Sequence, residues 1–368
     1  QPLAAIFSTR QTRDKVPPDA SNEKVIAFLR EAYEETFSQA LRIITRRIDQ
    51  FGVVQPNIQR IRGTDKILLE LPGIKEPDRI KKILNATANL EFWEALSNAD
   101  VHNTLAEIDR EVKKYLALAS GRDTIKADTA STDTSAIGKE SLFGYLSPNV
   151  YQDSRDNKWY LVPGPIVGYA RIKDTSKINF FFNLPSVQSL LKLKGARIKF
   201  LWGAMPVNKN SDFLPLYAIK VTSADGTPPL DGKVIVDAYN DLDQYGNPSV
   251  TMVMNAEGAS IWYHLTKENV GRHIAIVLDN SVYSAPVVNT PISGGRSSIT
   301  GKFTTEEAQD LANVLKSGKL PVSLSIIREV VMGPSLGEES LHKSILAFIL
   351  SFIIISSFMT LYLSLIHI

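Results

Sequence analysis

Several segments of this chain carry residue types that could do chemistry. The run Gly295-Arg296-Ser297-Ser298-Ile299-Thr300-Gly301-Lys302 sets glycines ahead of a lysine, the arrangement with which backbone amides close on a phosphate. It has one residue too many between its glycines, and Phe303 stands where a metal-binding hydroxyl belongs, so it reads as a glycine turn between strands. Asp241, Asp243 and Gly246 have the beginnings of a calcium loop, but Tyr245 takes the third ligand position and Met252 the place of the bidentate glutamate. A solvated turn is the expectation there. Of the five histidines, His102, His264, His273, His342 and His367, none stands three to five residues from another, so no histidine pair has metal-ligand spacing. The absence of cysteine removes disulfides, thiolate catalysis and cysteine-ligated metals together. A hydrolase would need a serine, a histidine and a carboxylate brought together by the fold, which spacing neither shows nor forbids. With no convergent constellation, the chain reads as a non-enzyme with no cofactor and no metal site.

Composition narrows the field further. Lys and Arg number 41 against 39 Asp and Glu, leaving +2, which disfavours a nucleic-acid binder that relies on a strongly basic surface. With 44% hydrophobic and 22% charged residues the 368-residue chain has ample material for a core, and its length suggests two domains and something extra. The extra part is a run from Ser344 to Ile366 with no charged residue and no histidine. As a helix it reaches about 34 Å, enough to cross the ~30 Å hydrocarbon layer. The few flanking charges, His342 and Lys343 before it and His367 after it, do not set its sidedness.

The elements ahead of that span follow from periodicity and punctuation. Ser21 and Asn22 can cap a long helix, or two, with apolar residues from Val25 to Phe51 at helical spacing and Gly52 as a stop. Ile58–Ile61 and Ile67–Leu71 read as strands, residues 77–85 as a helix and Ala88–Glu94 as a strand. The order helix, strand, strand, helix, strand suggests a small ferredoxin-like α+β unit. A polar helix is expected over Val101–Leu118, then a mobile loop over Gly121–Glu140, where large apolar groups are scarce. Short β-type runs follow: Ile178–Phe182, Ala196–Leu201, Leu216–Thr222, Ser249–Met254 and Arg272–Leu278. Thr304 and Glu307 form a capping-box pattern for a helix that stops at Gly318, and Pro321–Val330 reads as a last strand before the break at Gly333-Pro334. The fold class expected is α+β: a ferredoxin-like base, an inserted strand-rich head and one transmembrane helix.

The glycines and prolines also form a family pattern. Arg47-Ile48-Asp49-Gln50-Phe51-Gly52-Val53-Val54-Gln55-Pro56-Asn57-Ile58-Gln59, followed by Ile67 through Leu71-Pro72-Gly73-Ile74, resembles the second signature of the SecD family of bacterial protein-export accessories. Asn269-Val270-Gly271-Arg272, Ile274 through Asp279 and Tyr283-Ser284-Ala285-Pro286 are similar to the third signature. That signature continues through Gly294-Gly295, Ile299-Thr300-Gly301, Glu307-Ala308, Leu311-Ala312 and Ser317-Gly318-Lys319-Leu320-Pro321. Gly333-Pro334-Ser335-Leu336-Gly337 resembles the lead-in to the family's second membrane helix, and Ala88 through Glu94 is worded most like fused SecD/SecF chains of the Bacteroidetes type.

The resemblance implies a first periplasmic domain and the membrane helix after it, in an inner-membrane protein related to the RND transporters. The base would be residues 1–98 with 294–333, the head 99–293 and the span 344–366. The implied function is engagement of preproteins at the periplasmic side of the Sec translocon, aiding translocation driven by proton-motive force. The implied partners are the SecYEG channel, the SecF part, unfolded preproteins and the lipid bilayer, with no nucleic acid. The family's Asp-Leu-x-Gly-Gly signature and its proton-relay helices lie outside this sequence. The family-motif positions Asp49, Gly52, Pro56, Gln59, Pro72, Gly73, Gly271, Asp279, Pro286, Gly294, Gly295, Gly301, Gly318, Pro321, Gly333 and Pro334 are expected to set turns or hinges. Ser97–Asp100 and Pro291–Gly295 are the natural crossing points about which a head could rotate. Phe180, Phe181, Phe182 and Trp202 could grip clients but read more readily as core. The alternative function is a membrane-tethered ligand-binding or adaptor module, which a closed apolar pocket in the second lobe would favour.

Overall fold

The computed structural model describes residues 2–9, 12–51, 53, 55–61, 63–72, 74, 76–119, 141–193, 196–208, 211–301, 303–328, 330 and 335–367. The loop expected over Gly121–Glu140 lies outside them, as do Gly52, Gly73, Gly333 and Pro334. In chain order the first elements are α1 (Ala4–Phe7), α2 (Asn22–Gln50), β1 (Asn57–Arg60), β2 (Ile67–Glu70), α3 (Pro77–Asn85), β3 (Leu90–Ala95) and α4 (Asn98–Ala119). The middle is strand-rich: β4 (Leu146–Pro148), β5 (Val150–Gln152), β6 (Trp159–Leu161), β7 (Ile166–Arg171), α5 (Thr175–Phe182), α6 (Pro185–Leu190), β8 (Lys192–Leu193), β9 (Ala196–Gly203) and β10 (Phe213–Val221). Then come β11 (Leu230–Asp231), β12 (Ile235–Leu242), β13 (Pro248–Met254), α7 (Ala256–Glu268), β14 (His273–Leu278), β15 (Ser281–Ser284), β16 (Arg296–Thr300), α8 (Thr305–Ser317) and α9 (Ser335–His367). The chain is mixed α+β and divides into one unit of residues 1–51 with 79–323 and another of 52–78 with 324–368.

The first unit is organised by a ring of strands. β3 pairs antiparallel with β14, β14 with β15 and β9 with β10, while β15 runs parallel to β9. β10 then pairs back to β3 through Ile219 and Lys220, which closes the circuit. Because side chains alternate faces along a strand, each strand feeds two cores. Trp93, Ala95, Leu201, Ile219, Val221, Ala275, Val277 and Val282 fill the inside. On the outside, Leu90, Phe92, Ile274, Ile276 and Leu278 share a core with the sheet β12-β13-β16 and helices α7 and α8. Ile198, Leu216 and Ala218 share another with α4, α5 and α6.

Local chemistry sets the helix ends. Ser21 accepts from the Lys24 amide to start α2, a single helix whose buried residues include Ala40, Ile43, Ile44, Arg47 and Ile48. Thr304 and Glu307 form the reciprocal capping box of α8, satisfying two orphan amides at once. α8 ends at Gly318, whose φ of 89° is a backbone state that L side chains rarely adopt.

Two expected strands are absent. Ile178–Phe182 lies in α5, where Ile178, Phe181 and Phe182 are buried at the i, i+3, i+4 spacing of a helix face. Phe182 stacks on Phe200 at 4.3 Å, so these rings are core, while Phe180 alone of the three is half exposed. The described residues of Pro321–Val330 form no strand, because β-propensity without a partner strand leaves the ladder unmade. Residues 296–300 of the glycine-flanked run are themselves a strand, paired with β13, rather than a turn.

β1 and β2 pair antiparallel, with Asn57 opposite Glu70 and Arg60 opposite Ile67. In α9, Lys343–Tyr362 is long and apolar enough to cross a membrane, with a mean hydropathy of 2.3 and none of the stretch buried.

Candidate functional site

Among the described residues of the larger unit one cation is buried, Arg47, in the last turns of α2. Its Nη1 donates to the carbonyl of Ile83 at 2.7 Å, to that of Leu84 at 3.4 Å and to that of Ala86. Nη2 donates to the carbonyl of Gly318 at 3.3 Å, and Nε to Ser317 Oγ at 3.1 Å. These acceptors belong to the C-terminal ends of α3 and α8, where carbonyls lack intrahelical partners and the macrodipole is negative. One planar guanidinium therefore caps two helices, a task that suits its fork of donors. Burial pushes its pKa down to about 10, and the charge of Asp279 opposes that shift, so the group is a full cation at neutral pH.

Asp279 sits in the tight turn joining β14 to β15, where it and Asn280 both adopt positive φ, 50° and 64°. Its carboxylate accepts the amides of Thr87 at 3.1 Å and Asn89 at 2.9 Å, and the Thr87 hydroxyl. The Leu320 amide in turn donates to the Thr87 carbonyl at 2.9 Å. Arg79 and Asp310 add a bidentate pair between α3 and α8, at 2.7 and 2.8 Å. The result is a polar knot joining α2, α3, α8 and one edge of the strand ring. It holds backbone in place and contains no nucleophile with an adjacent base.

Of the family-motif positions, the structure gathers Asp279 and Gly318 round Arg47. Asp49 lies two residues further along α2, and its carbonyl accepts the Phe51 amide. Pro56, Gln59 and Pro72 belong to the hairpin unit, with Gln59 opposite Leu68. Gly271, at φ 78°, donates to the Val288 carbonyl, and the Pro286 carbonyl accepts from Ile274. Gly294 and Gly295 lead into β16 at φ 91° and 65°, and a Cβ on Gly295 would lie 2.7 Å from that of Ala259. Gly301 lies against the Phe303 ring and Pro321 follows α8. The sequence signal for Arg47 is a basic residue on the apolar face of a helix, with Ile43, Ile44 and Ile48 beside it.

The other candidates are explained by local structure. Asp243 accepts the Tyr245 and Asn247 amides, each at 2.8 Å, in the turn from β12 to β13, and the Asn247 amide above all holds its carboxyl below the usual range. His273 Nδ1 faces the Ala285 carbonyl at 2.9 Å. Ser97 and Asp100 exchange hydrogen bonds at the start of α4, and Asn98 is buried and donates to the carbonyls of Asn149 and Val162. A rigid rotation of residues 99–293 about that point would have to break the β3–β14 ladder, which runs from Leu90 to Ala95, and the β3–β10 pairing. The crossing at Ser97–Asp100 is therefore capped and adjoins a paired strand.

Residues 37–97 match the family model described as the N-terminal P1 domain of protein translocase subunit SecDF, and residues 218–322 match that of the SecDF P1 head subdomain. The second match takes in β16 and α8. The protein translocase subunit SecD of Rhodothermus marinus is 39% identical over 348 residues, covering 93% of this chain and 54% of that protein. The SecD of Desulfurispirillum indicum is 29% identical over 334 residues, covering 91% and 48%. The chain thus spans about half the length of the curated relatives it matches. A solved SecDF structure, titled a membrane component that enhances protein export, is 24% identical with a TM-score of 0.42, covering 81% of this chain and 94% of that one. The two family models and the two SecD proteins all point to the P1 region of SecDF-type proteins as what this chain is similar to. Residues 37–97 and 218–322 resemble the P1 region of the SecD family, and among the described residues an apolar helix follows them.

Proposed function

We propose that the chain is the first periplasmic region and following membrane helix of a protein-export accessory subunit. It faces the periplasmic side of the bacterial inner membrane, engages unfolded preproteins as they leave the SecYEG channel, and works with a SecF part to aid translocation driven by proton-motive force. The observation that carries this reading is the alignment with a SecD over 93% of the chain. The apolar helix supports a bilayer attachment. The division into a base (1–98 with 294–333) and a head (99–293) is part of the proposal, with two amendments: β3 is woven into the strand ring and β16 is paired with β13, so movement of the head carries both with it.

The test is pulse–chase labelling of a secreted precursor in cells depleted of the full-length protein and complemented with its gene. Precursor is expected to accumulate on depletion and to mature again on complementation. Unchanged maturation through depletion contradicts the reading.

A further inference from the structure

The chain passes between its two units after Phe51, before Arg79 and after Ser323. Arg47 lies one helical turn ahead of the first passage. The carbonyls of Ile83, Leu84 and Ala86 end the helix that begins at the second, and Gly318 shortly precedes the third. All three passages therefore issue from segments bonded to one guanidinium. Through Thr87, Asn89 and Asp279 the same segments are tied to the turn between β14 and β15.

We propose that Arg47 is a clasp, a positioning residue that orders the C-terminal ends of α3 and α8 jointly, so that the segments leading to the hairpin and the apolar helix are gathered and held to the strand ring as one part. Two features argue for a joint function rather than ordinary packing. A buried cation is costly unless every donor is used, and here the donors are divided between two helices with no carboxylate among the direct acceptors. Also, α3 and α8 are distant in sequence and share the second tie between Arg79 and Asp310, so loss of the guanidinium leaves that partly exposed pair, the Leu320–Thr87 backbone bond just beyond the two helices and the apolar contact across Ile83 and Val314.

The experiment is hydrogen–deuterium exchange on the full chain in lipid nanodiscs, comparing wild type with Arg47→Met and Arg47→Lys; it reads order directly and so is independent of any export activity. In Arg47→Met, protection of residues 84–89 and 315–320 is expected to fall together by about 100-fold, while β9 and β10 keep wild-type protection. Wild-type protection at both helix ends, loss at one end alone, or an equal loss throughout β9 and β10 would each overturn the proposal. Should Arg47→Met prevent folding, Arg47→Lys answers the same question. A point ammonium cannot fork to both ends, so at least one end is expected to loosen, and full protection at both would overturn the clasp.

Discussion

The carboxylate of Asp279 accepts the backbone amide of Asn89 at 2.9 Å across 190 residues of sequence. This contact pins the β14–β15 turn to the segment that joins α3 to β3, beside the buried Arg47. The motif aspartate thus acts on backbone geometry, and its neighbours in the knot are carbonyls and amides rather than reacting groups.

Replacing Asp279 by alanine leaves the Thr87 and Asn89 amides without their acceptor and places a Cβ-only residue at positive φ. The site is exposed, so water takes over part of the bonding. A loss of about 1–2 kcal/mol is expected in urea titrations of the full chain.

The two motif glycines Gly271 and Gly295 separate backbone strain from crowding. Both have positive φ, but a Cβ on Gly271 meets nothing within 4 Å, whereas one on Gly295 meets Ala259 at 2.7 Å. Gly271→Ala is expected to cost about 1–2 kcal/mol and Gly295→Ala about 2–4 kcal/mol, measured as the difference in denaturation midpoints. Equal costs would mean that the contact with Ala259 relaxes freely.

Much of this architecture was legible in the sequence, because caps and periodicity are local. Ser21, the capping box at Thr304 and Glu307, and the stop at Gly318 marked helix ends that the structure shows at the same places. The charge-free run after Lys343 announced α9. What local signals did not carry was pairing. Nothing in Leu90–Ala95 says that it bonds to β10 as well as β14, so the closed ring and the weaving of β3 into the head were not legible. The same gap explains Pro321–Val330, where β-type composition met no partner strand. At Ile178–Phe182 the helical spacing was present but hidden inside a continuous apolar run. Arg47 lies within a signature but carries no site signal of its own, since its acceptors are backbone carbonyls that any residue type supplies.

Burial raises the pKa of Tyr217 and Tyr283 above the ordinary 10.0, with nearby Tyr169 adding to the first and Asp279 and Glu307 to the second. Each keeps its proton in the folded state at a pH where the unfolded chain has lost it. Their contribution to stability is therefore complete below pH 10 and is lost as pH rises through the folded values. Phenolate absorbance from these two rings is expected only above the ordinary value, and the denaturation midpoint should fall as pH rises from 10 through the folded values. Titration of both at the ordinary value would show the rings to be solvated.

Ile353 lies near the centre of the apolar stretch Lys343–Tyr362. Ile353→Arg is expected to disfavour insertion by about 3 kcal/mol, and to shift the chain from the carbonate-resistant membrane pellet toward the extractable fraction. Wild-type and variant chains extracted alike would show that this helix does not span.

The central claim, contact with a polypeptide in transit, is tested most directly by photocrosslinking from exposed positions of the full-length protein in membranes. Photoreactive residues at Trp159, Phe180 and Tyr245 would face a secretory precursor stalled in the channel by a folded C-terminal domain. The account predicts adducts between at least one of these positions and the stalled chain, lost when the precursor is not engaged in the channel. Active export with no adduct from any of the three would contradict it.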